Sequence, residues 1–395
     1  MSKVTIPFEE MLVDPVAALG RARRESWLAD TGLATGVLRW EDVRALLADP
    51  RLHEGFVRFM TTLGVTSGPF FEWMSRSPLN LDGETHLRWR AVLSRTFTPR
   101  RVEGIRPFLR DTAHALVDGF AARGRCDFMA EYGDQYPSLG LCELIGVPHE
   151  DRDRFRGWAD AIGLGFSPID MAMRIAEIDE ALSNLLAYAG DLAARRRMEP
   201  RDDLVTQIAH AGDEAGWDDE QVRGAIAGLV FAGHETTKNQ LGWMIATLAE
   251  RPDAWDGVAS GALAPAAVVE EVLRLRPAVS GVGRVVAEAV ERSGERFEPE
   301  TQLFFSILSA NRDERVYPKP DEFDPAANSA SPHLAFGFGA HHCLGAALAR
   351  AELQESLAAL AARIGCPRLA PGAAWRPPVG IHGPTRLPIE FEERR

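Results

Sequence analysis

Apolar positions recur three and four residues apart over most of the chain, the period of a helix with one buried face. This spacing predicts helices over 42–47, 84–97, 101–122, 151–161, 171–197 and 203–209. The longest predicted helix covers 218–250. Asp218 is placed to cap it, Asp219 and Glu220 sit in its first turn where acids complement the helix dipole, and Arg251-Pro252 stops it. Val222, Ile226, Leu229 and Val230 fall at helical spacing along it. A further helix runs between Pro265 and Pro277, and an Ala-rich run over 346–360 reads as another. Strand signals are few and short, at 36–40, 283–286, 301–308 and 387–391. The fold class is therefore mainly α, with a smaller β-rich portion near 36–40, 283–308 and 387–391. A chain of 395 residues would ordinarily divide. Here neither a Pro/Gly/Ser-rich linker nor a repeat interrupts it, so 1–395 reads as a single domain.

Two places break the pattern. The long helix carries Ala232-Gly233-His234-Glu235-Thr236-Thr237 at its centre, where an apolar face has no local reason for glycine, an acid and hydroxyls. Glycine inside a helix costs about 1 kcal/mol against alanine, and threonine can bond back to a carbonyl one turn earlier. The second break is Phe336-Gly337-Phe338-Gly339-Ala340-His341-His342-Cys343-Leu344-Gly345, a glycine-rich turn that delivers Cys343 to the start of the Ala-rich helix. Unpaired N–H groups at a helix start favour thiolate, and thiolate is a strong axial ligand for haem iron. The irregular, proline-rich stretch 317–332 leads into this loop. A long loop inside a compact body points to function.

Composition narrows the class. The chain is 46% hydrophobic and 26% charged, ordinary for a soluble globular protein. A net charge of −13 argues against a nucleic-acid binder. The four cysteines, at 126, 142, 343 and 366, form no Cys-x-x-Cys pair, which suits a reducing cytoplasm. His333, His341, His342 and Cys343 lack the paired ligand steps of structural zinc sites. The first twenty residues hold neither a signal-peptide core nor a membrane span, so no membrane anchor is expected. Glu271 and Arg274, at i and i+3, can pair on one helix face, and the donors His86 and Arg90, at i and i+4, share a face.

The Phe-x-x-Gly-x-x-x-Cys-x-Gly spacing of Phe336 to Gly345 resembles the haem-binding loop of the cytochrome P-450 monooxygenases. The order of the other motifs, from His86 through Glu235-Thr236, Glu271-x-x-Arg274, Asn311-Arg312-Asp313 and Phe323-Asp324, extends the likeness along nearly the whole chain. The resemblance implies a long central helix crossing a haem b, with Cys343 as the iron's proximal ligand and the protein as its remaining holder through Phe336, Gly337 and Gly345. It implies that Ala232 and Gly233 leave room for dioxygen, that Glu235 and Thr236 deliver protons, and that His86, Arg90, Arg284 and His341 bind the haem propionates. Glu271 and Arg274 become a structural ion pair behind the haem. The family usually carries an arginine soon after the Phe-Asp pair. Here Pro325-Ala326-Ala327-Asn328 follows, which leaves His333 or another group to complete that network, or leaves it incomplete.

The implied activity is O2-dependent hydroxylation or epoxidation of a hydrophobic small molecule. The wall of its binding pocket comes from Phe70, Phe71, Trp73, Met74, Phe166, Leu229, Val279, Val282 and Val379, and core packing would select the same residue types. No flavin or ferredoxin domain is fused to the chain, so electrons from NAD(P)H are expected through a separate ferredoxin and ferredoxin reductase, to a cytoplasmic monomer. Arg88, Arg95, Arg100, Arg101 and Arg350 are candidates for a basic docking patch. The rival readings, a peroxide-driven haem-thiolate peroxygenase and a non-catalytic haem sensor, have no use for Glu235 and Thr236.

Overall fold

The computed structural model describes residues 3–32 and 34–394. Helices build most of it, and the longest forms as its end signals predict. It spans Asp219–Leu248, and the Asp218 carboxylate accepts from the Gln221 N–H while the Gln221 side chain bonds back to the cap. The Gly-His-Glu-Thr-Thr segment does not break it. The Thr236 hydroxyl donates to the Ala232 carbonyl at 2.7 Å, one turn back, within a continuous helix.

The other helices follow the hydrophobic period, with ends displaced by a few residues: Trp40–Leu47, Gly83–Thr96, Pro99–Asp118, Arg152–Gly163, Leu204–Glu214 and Pro265–Leu275. Pro168–Met198 is bent at Arg174, where φ −123° and ψ 20° leave the helical region. Trp40 and Ile307, placed in strands by pattern alone, begin helices instead. The Trp40 N–H meets the Asp313 carboxylate at 2.9 Å, and the Ser306 hydroxyl accepts from the Ser309 N–H; these caps turn each segment out of the sheet.

The main sheet has six short strands in the order Val4–Thr5, Leu28–Asp30, Thr35–Val37, Gln302–Ser306, Gly281–Val286 and Leu52–Glu54. It holds its own apolar core, with Trp27, Leu46, Phe297 and Phe305. A far larger cluster lies among the helices, including Phe70, Tyr132, Leu185, Val230 and Leu357. Three short strands, Arg368–Leu369, Pro388–Glu390 and Arg125–Asp127, close the C-terminal part onto the helices. Among the described residues, no helix is long and apolar enough to cross a membrane.

The helix that follows the cysteine loop, Ala346–Arg363, packs along Pro99–Asp118 and reaches the long helix. At that crossing Glu352 is buried, with one carboxyl oxygen accepting from the Thr237 hydroxyl at 3.2 Å and the other unbonded. Burial raises this carboxyl from 4.5 to about 8, and the Thr237 bond offsets it only in part. The folded state therefore holds a proton that the unfolded chain releases near its ordinary carboxyl pKa. Stability from this group is full at acid pH and falls as pH rises from about 4.5 to about 8. Replacing Glu352 by Gln keeps the shape and removes the titration. Chemical denaturation across this range should show the variant's stability declining less steeply than wild type, by up to about 1.4 kcal/mol per pH unit. Parallel profiles would show that Glu352 does not titrate in this way.

Candidate active site

The cysteine loop is built by short backbone bonds and two left-handed glycines. The Gly337 N–H donates to the Leu334 carbonyl at 2.8 Å, and the Cys343 N–H to the Phe336 carbonyl at 2.9 Å. Gly337 and Gly339 have φ of +70° and +77°. A Cβ at Gly339 would lie 2.6 Å from the Leu47 carbonyl oxygen, so only glycine lets the loop pass there. Gly345 caps the helix beginning at Ala346, which puts Cys343 two residues ahead of the cap. A Cβ on Gly345 would sit 3.9 Å from the Cys343 sulfur. The thiol is exposed. Surrounding protein pushes its pKa up, while the Gly345 N–H, Arg90 and Arg350 act the other way.

Four donors expected from the sequence surround the same region. The His86 ring stacks on the His341 ring, with centroids 4.0 Å apart. Burial, then His341 and Arg90, bring the His86 pKa down to about 4, so it is neutral at pH 7. Arg90 donates to the His342 carbonyl and ties its helix to the cysteine loop. Arg284 is buried. The sequence reading missed two acids here. Glu54 pairs with Arg284 at 2.7 Å and lies 3.3 Å from His341, whose other ring nitrogen is 3.3 Å from Asp82. A thiol in a glycine cradle, flanked by four nitrogen donors suited to carboxylates, is a donor set that fits a haem.

Behind the loop, Arg274 and Glu271 form the expected ion pair, bidentate at 2.7 and 2.8 Å and fully buried. The group in place of the missing arginine is Asn328. Its amide donates to Glu271 at 2.9 Å, beside the Asp324 N–H at 2.9 Å. His333 is not in this network. It turns to Glu270 at 3.2 Å, because Glu270 projects from the helix in another direction and already binds Arg350 at 2.7 Å. Arg350 also lies over the Phe336 ring, 4.5 Å from its centre. It is thus committed to the loop and is not part of a free basic patch. Arg101 is likewise taken by Asp202 at 2.7 Å; Arg88, Arg95 and Arg100 are exposed, with Arg88 3.5 Å from Glu84.

On the long helix, Gly228, Leu229, Ala232, Gly233 and Thr236 are half-buried among otherwise buried neighbours. A Cβ at Gly233 would meet a Leu141 methyl at 2.8 Å, so its missing side chain makes room for the neighbouring helix Tyr136–Ile145. Glu235 is completely buried and does not turn to Thr236. Its carboxylate pairs with Arg376 and with Lys238 at 3.0 Å, and accepts from the Asn239 amide at 3.0 Å.

Lys238 in turn holds Asp160 and, at 3.5 Å, Asp134, while His234 lies 3.3 Å from Asp160. Burial works to lower the Lys238 pKa, but Glu235, Asp160 and Asp134 raise it well above the usual lysine range. Burial would raise Asp160; the bonds and charges of His234 and Lys238 hold it well below the usual carboxylate range. A cavity of about 280 Å3, lined by Asp134, Asp160, Arg174, Glu177, Lys238 and Arg376 among others, reaches this cluster from outside. Lys238 was legible as the i+3 partner of Glu235. Arg376, 141 residues away along the chain, had no such signal.

Most of the residues expected to wall the pocket pack within the large core cluster. Phe166 stacks on Phe231 at 4.3 Å and on Phe56 at 4.8 Å, and meets Phe70 edge-on at 5.9 Å. Phe71, Trp73, Met74, Leu229 and Val279 pack in the same large cluster. Val379 is half-buried beside Gly380, where a Cβ would strike the Phe166 carbonyl oxygen at 2.1 Å. Val282 does not join them. It lies two residues before Arg284, on the same strand face, and packs against the core of the main sheet.

The comparisons agree with this geometry. The family model described as Cytochrome P-450 matches residues 266–362, the stretch that carries the buried ion pair and the cysteine loop. Luteothin monooxygenase of Streptomyces thioluteus is 36% identical over 94% of this chain and 92% of its own length. Mycinamicin IV hydroxylase/epoxidase of Micromonospora griseorubida is 35% identical over 92% of this chain and 89% of its own. Cytochrome P-450 CYP109Q5 from Chondromyces apiculatus superposes with a TM-score of 0.87 at 29% identity, covering 99% of both chains. CalO2 gives 0.88 at 30% identity over 97% of both. The chain belongs to the cytochrome P-450 family. It is a haem-thiolate monooxygenase, an oxidoreductase whose cofactor is haem.

The ion pair behind the loop supplies a stability test. Asn328→Ala removes a buried donor to Glu271 and should cost about 1–3 kcal/mol. Asn328→Asp sets a second carboxylate against Glu271 and should cost more. Denaturant melts of the holoprotein that rank alanine below aspartate would remove Asn328 from this network.

Proposed function

We propose that this monooxygenase hydroxylates or epoxidises a hydrophobic small molecule of secondary metabolism, using two electrons passed from NAD(P)H through a ferredoxin reductase and a ferredoxin. It acts as a cytoplasmic monomer and single domain. The observation that carries the reading is the pairing, on adjacent residues of one helix, of a fully buried acid with a hydroxyl on the half-open face. The names of its relatives, a luteothin monooxygenase and a mycinamicin hydroxylase/epoxidase, support the substrate class. The exposed cations Arg88, Arg95 and Arg100 suit an acidic electron carrier.

Each residue then has a role. Cys343 holds the haem iron, and the bound haem supplies activation of O2. His86, Arg90, Arg284 and His341 hold the propionates. Phe70, Phe166, Leu229 and Val279 bind the apolar substrate and exclude water, which strengthens every polar interaction in the closed pocket. Ala232 lies on the ligand face of the long helix, and its carbonyl anchors the Thr236 hydroxyl. Protons enter from the polar cavity at Asp160 and Lys238 and reach Glu235. In the resting geometry Arg376, Lys238 and Asn239 hold the Glu235 carboxylate away from Thr236. Delivery to Thr236 therefore needs that carboxylate to rotate or a water to bridge the two.

Thr236→Ala leaves binding and electron entry in place but removes the hydroxyl that fixes the last proton donor. With ferredoxin and reductase supplied, NAD(P)H oxidation should continue while product per electron pair falls at least tenfold, typical of a lost acid-base group, and hydrogen peroxide should appear. Product yield equal to wild type would take Thr236 out of proton delivery. Equal turnover with peroxide alone would favour a peroxygenase.

A further inference from the structure

The strand Leu52–Glu54 runs antiparallel to Gly281–Val286, and the register places Glu54 directly opposite Arg284. That register is fixed by close packing, since a Cβ on Gly55 would lie 3.0 Å from the Arg284 backbone nitrogen. Opposed residues of such a pair share a sheet face, so the backbone itself sets this carboxylate beside this guanidinium. They form two bonds, Nη2 to Oε1 at 2.7 Å and Nη1 to Oε2 at 2.8 Å. Both side chains are nearly inaccessible, at 11% and 5% exposure. Glu54 also lies 3.3 Å from His341 Nδ1, and its own N–H donates to Asp82 at 2.9 Å. Burial pushes the Glu54 carboxyl up and Asp82 adds to that, while Arg284 and His341 oppose it.

We propose that Glu54 is a positioning residue that keeps Arg284 and His341 in place while its negative charge weakens haem retention and lowers the haem's reduction potential. This rests on the assignment of Arg284 and His341 as propionate donors. Arg284 and His341 are brought together by the carboxylates between them. Glu54 touches both, while Asp82 holds the other ring nitrogen of His341. A haem held by Arg284 and His341 would bring its propionates beside the Glu54 charge. An anion there opposes the approach of two more carboxylates, and it favours the more positive, oxidised iron. Unit charges a few ångströms apart at an effective dielectric of about 20 interact strongly enough to be seen in both quantities.

The test replaces Glu54 by Gln, which keeps the shape and one acceptor for Arg284 and removes the charge. Two readouts are needed on ferric holoprotein: the rate of haem transfer to excess apomyoglobin, and the midpoint potential from an optical redox titration. The inference expects transfer roughly tenfold slower, a potential shifted positive, and an unchanged Soret band of the reduced carbon monoxide form. Faster transfer, or a potential that does not move, overturns it, since replacing a purely structural Glu54 would speed haem loss and leave the potential alone. Glu54→Ser, which also shortens the side chain, must shift the potential in the same direction. Arg284→Gln separates the two claims. Haem transfer no faster than wild type in that variant would refute the donor assignment itself, whatever Glu54 does.

Discussion

The buried guanidinium of Arg274 is the constraint on which the rest of the site depends. A charge taken out of water is tolerated only where every donor is satisfied. Arg274 meets that demand by binding both Glu271 oxygens, the carbonyls of Asn311, Pro320 and Glu322, and the face of Tyr317. Those carbonyls belong to the irregular segment before the cysteine loop, a stretch with too few apolar residues to fix itself. Asn311 passes the order onward, because its side-chain oxygen accepts from the Leu334 N–H at 2.7 Å and Leu334 begins the turn that carries Gly337 and Cys343. The position of the thiol thus follows from the satisfaction of one buried cation, three steps away.

The same principle shapes the two other charged clusters. Near the propionate donors, Glu54 and Asp82 balance Arg284 and His341. On the long helix, Lys238 and Arg376 balance Glu235, Asp160 and Asp134. In both, each buried charge is held by partners of opposite sign, which sets its orientation. The difference lies in access. The Glu235 cluster borders an open cavity, whereas both side chains of the Glu54–Arg284 pair are nearly inaccessible.

Most of the fold was legible because helix ends carry their own chemistry. Asp218 before an apolar run and Pro252 after it bound the long helix correctly to within two residues. Cys343, Glu235, Thr236 and the Glu271–Arg274 pair were legible because each sits in a short, ordered motif. What escaped was set by tertiary contact. Glu54 faces Arg284 only through strand register, and Arg376 reaches Glu235 only because the C-terminal segment folds back. Asn328 stands where an arginine was expected, and a four-residue helix, Pro325–Asn328, aims its amide at Glu271. The neighbour of Gly233 escaped for the same reason: the sequence shows a gap in the helix surface, and only packing shows Leu141 beside it.

The central claim is that Cys343, as a thiolate, is the haem's axial ligand. The absorption spectrum of the reduced protein under carbon monoxide tests it most directly, in the wild type and in Cys343→His. The wild type should show the red-shifted Soret band that gives the family its name, and Cys343→His should lose it while retaining haem through the same propionate donors. A wild-type band at the position of a histidine-ligated haem, or a thiolate-type band that survives in Cys343→His, would contradict the account.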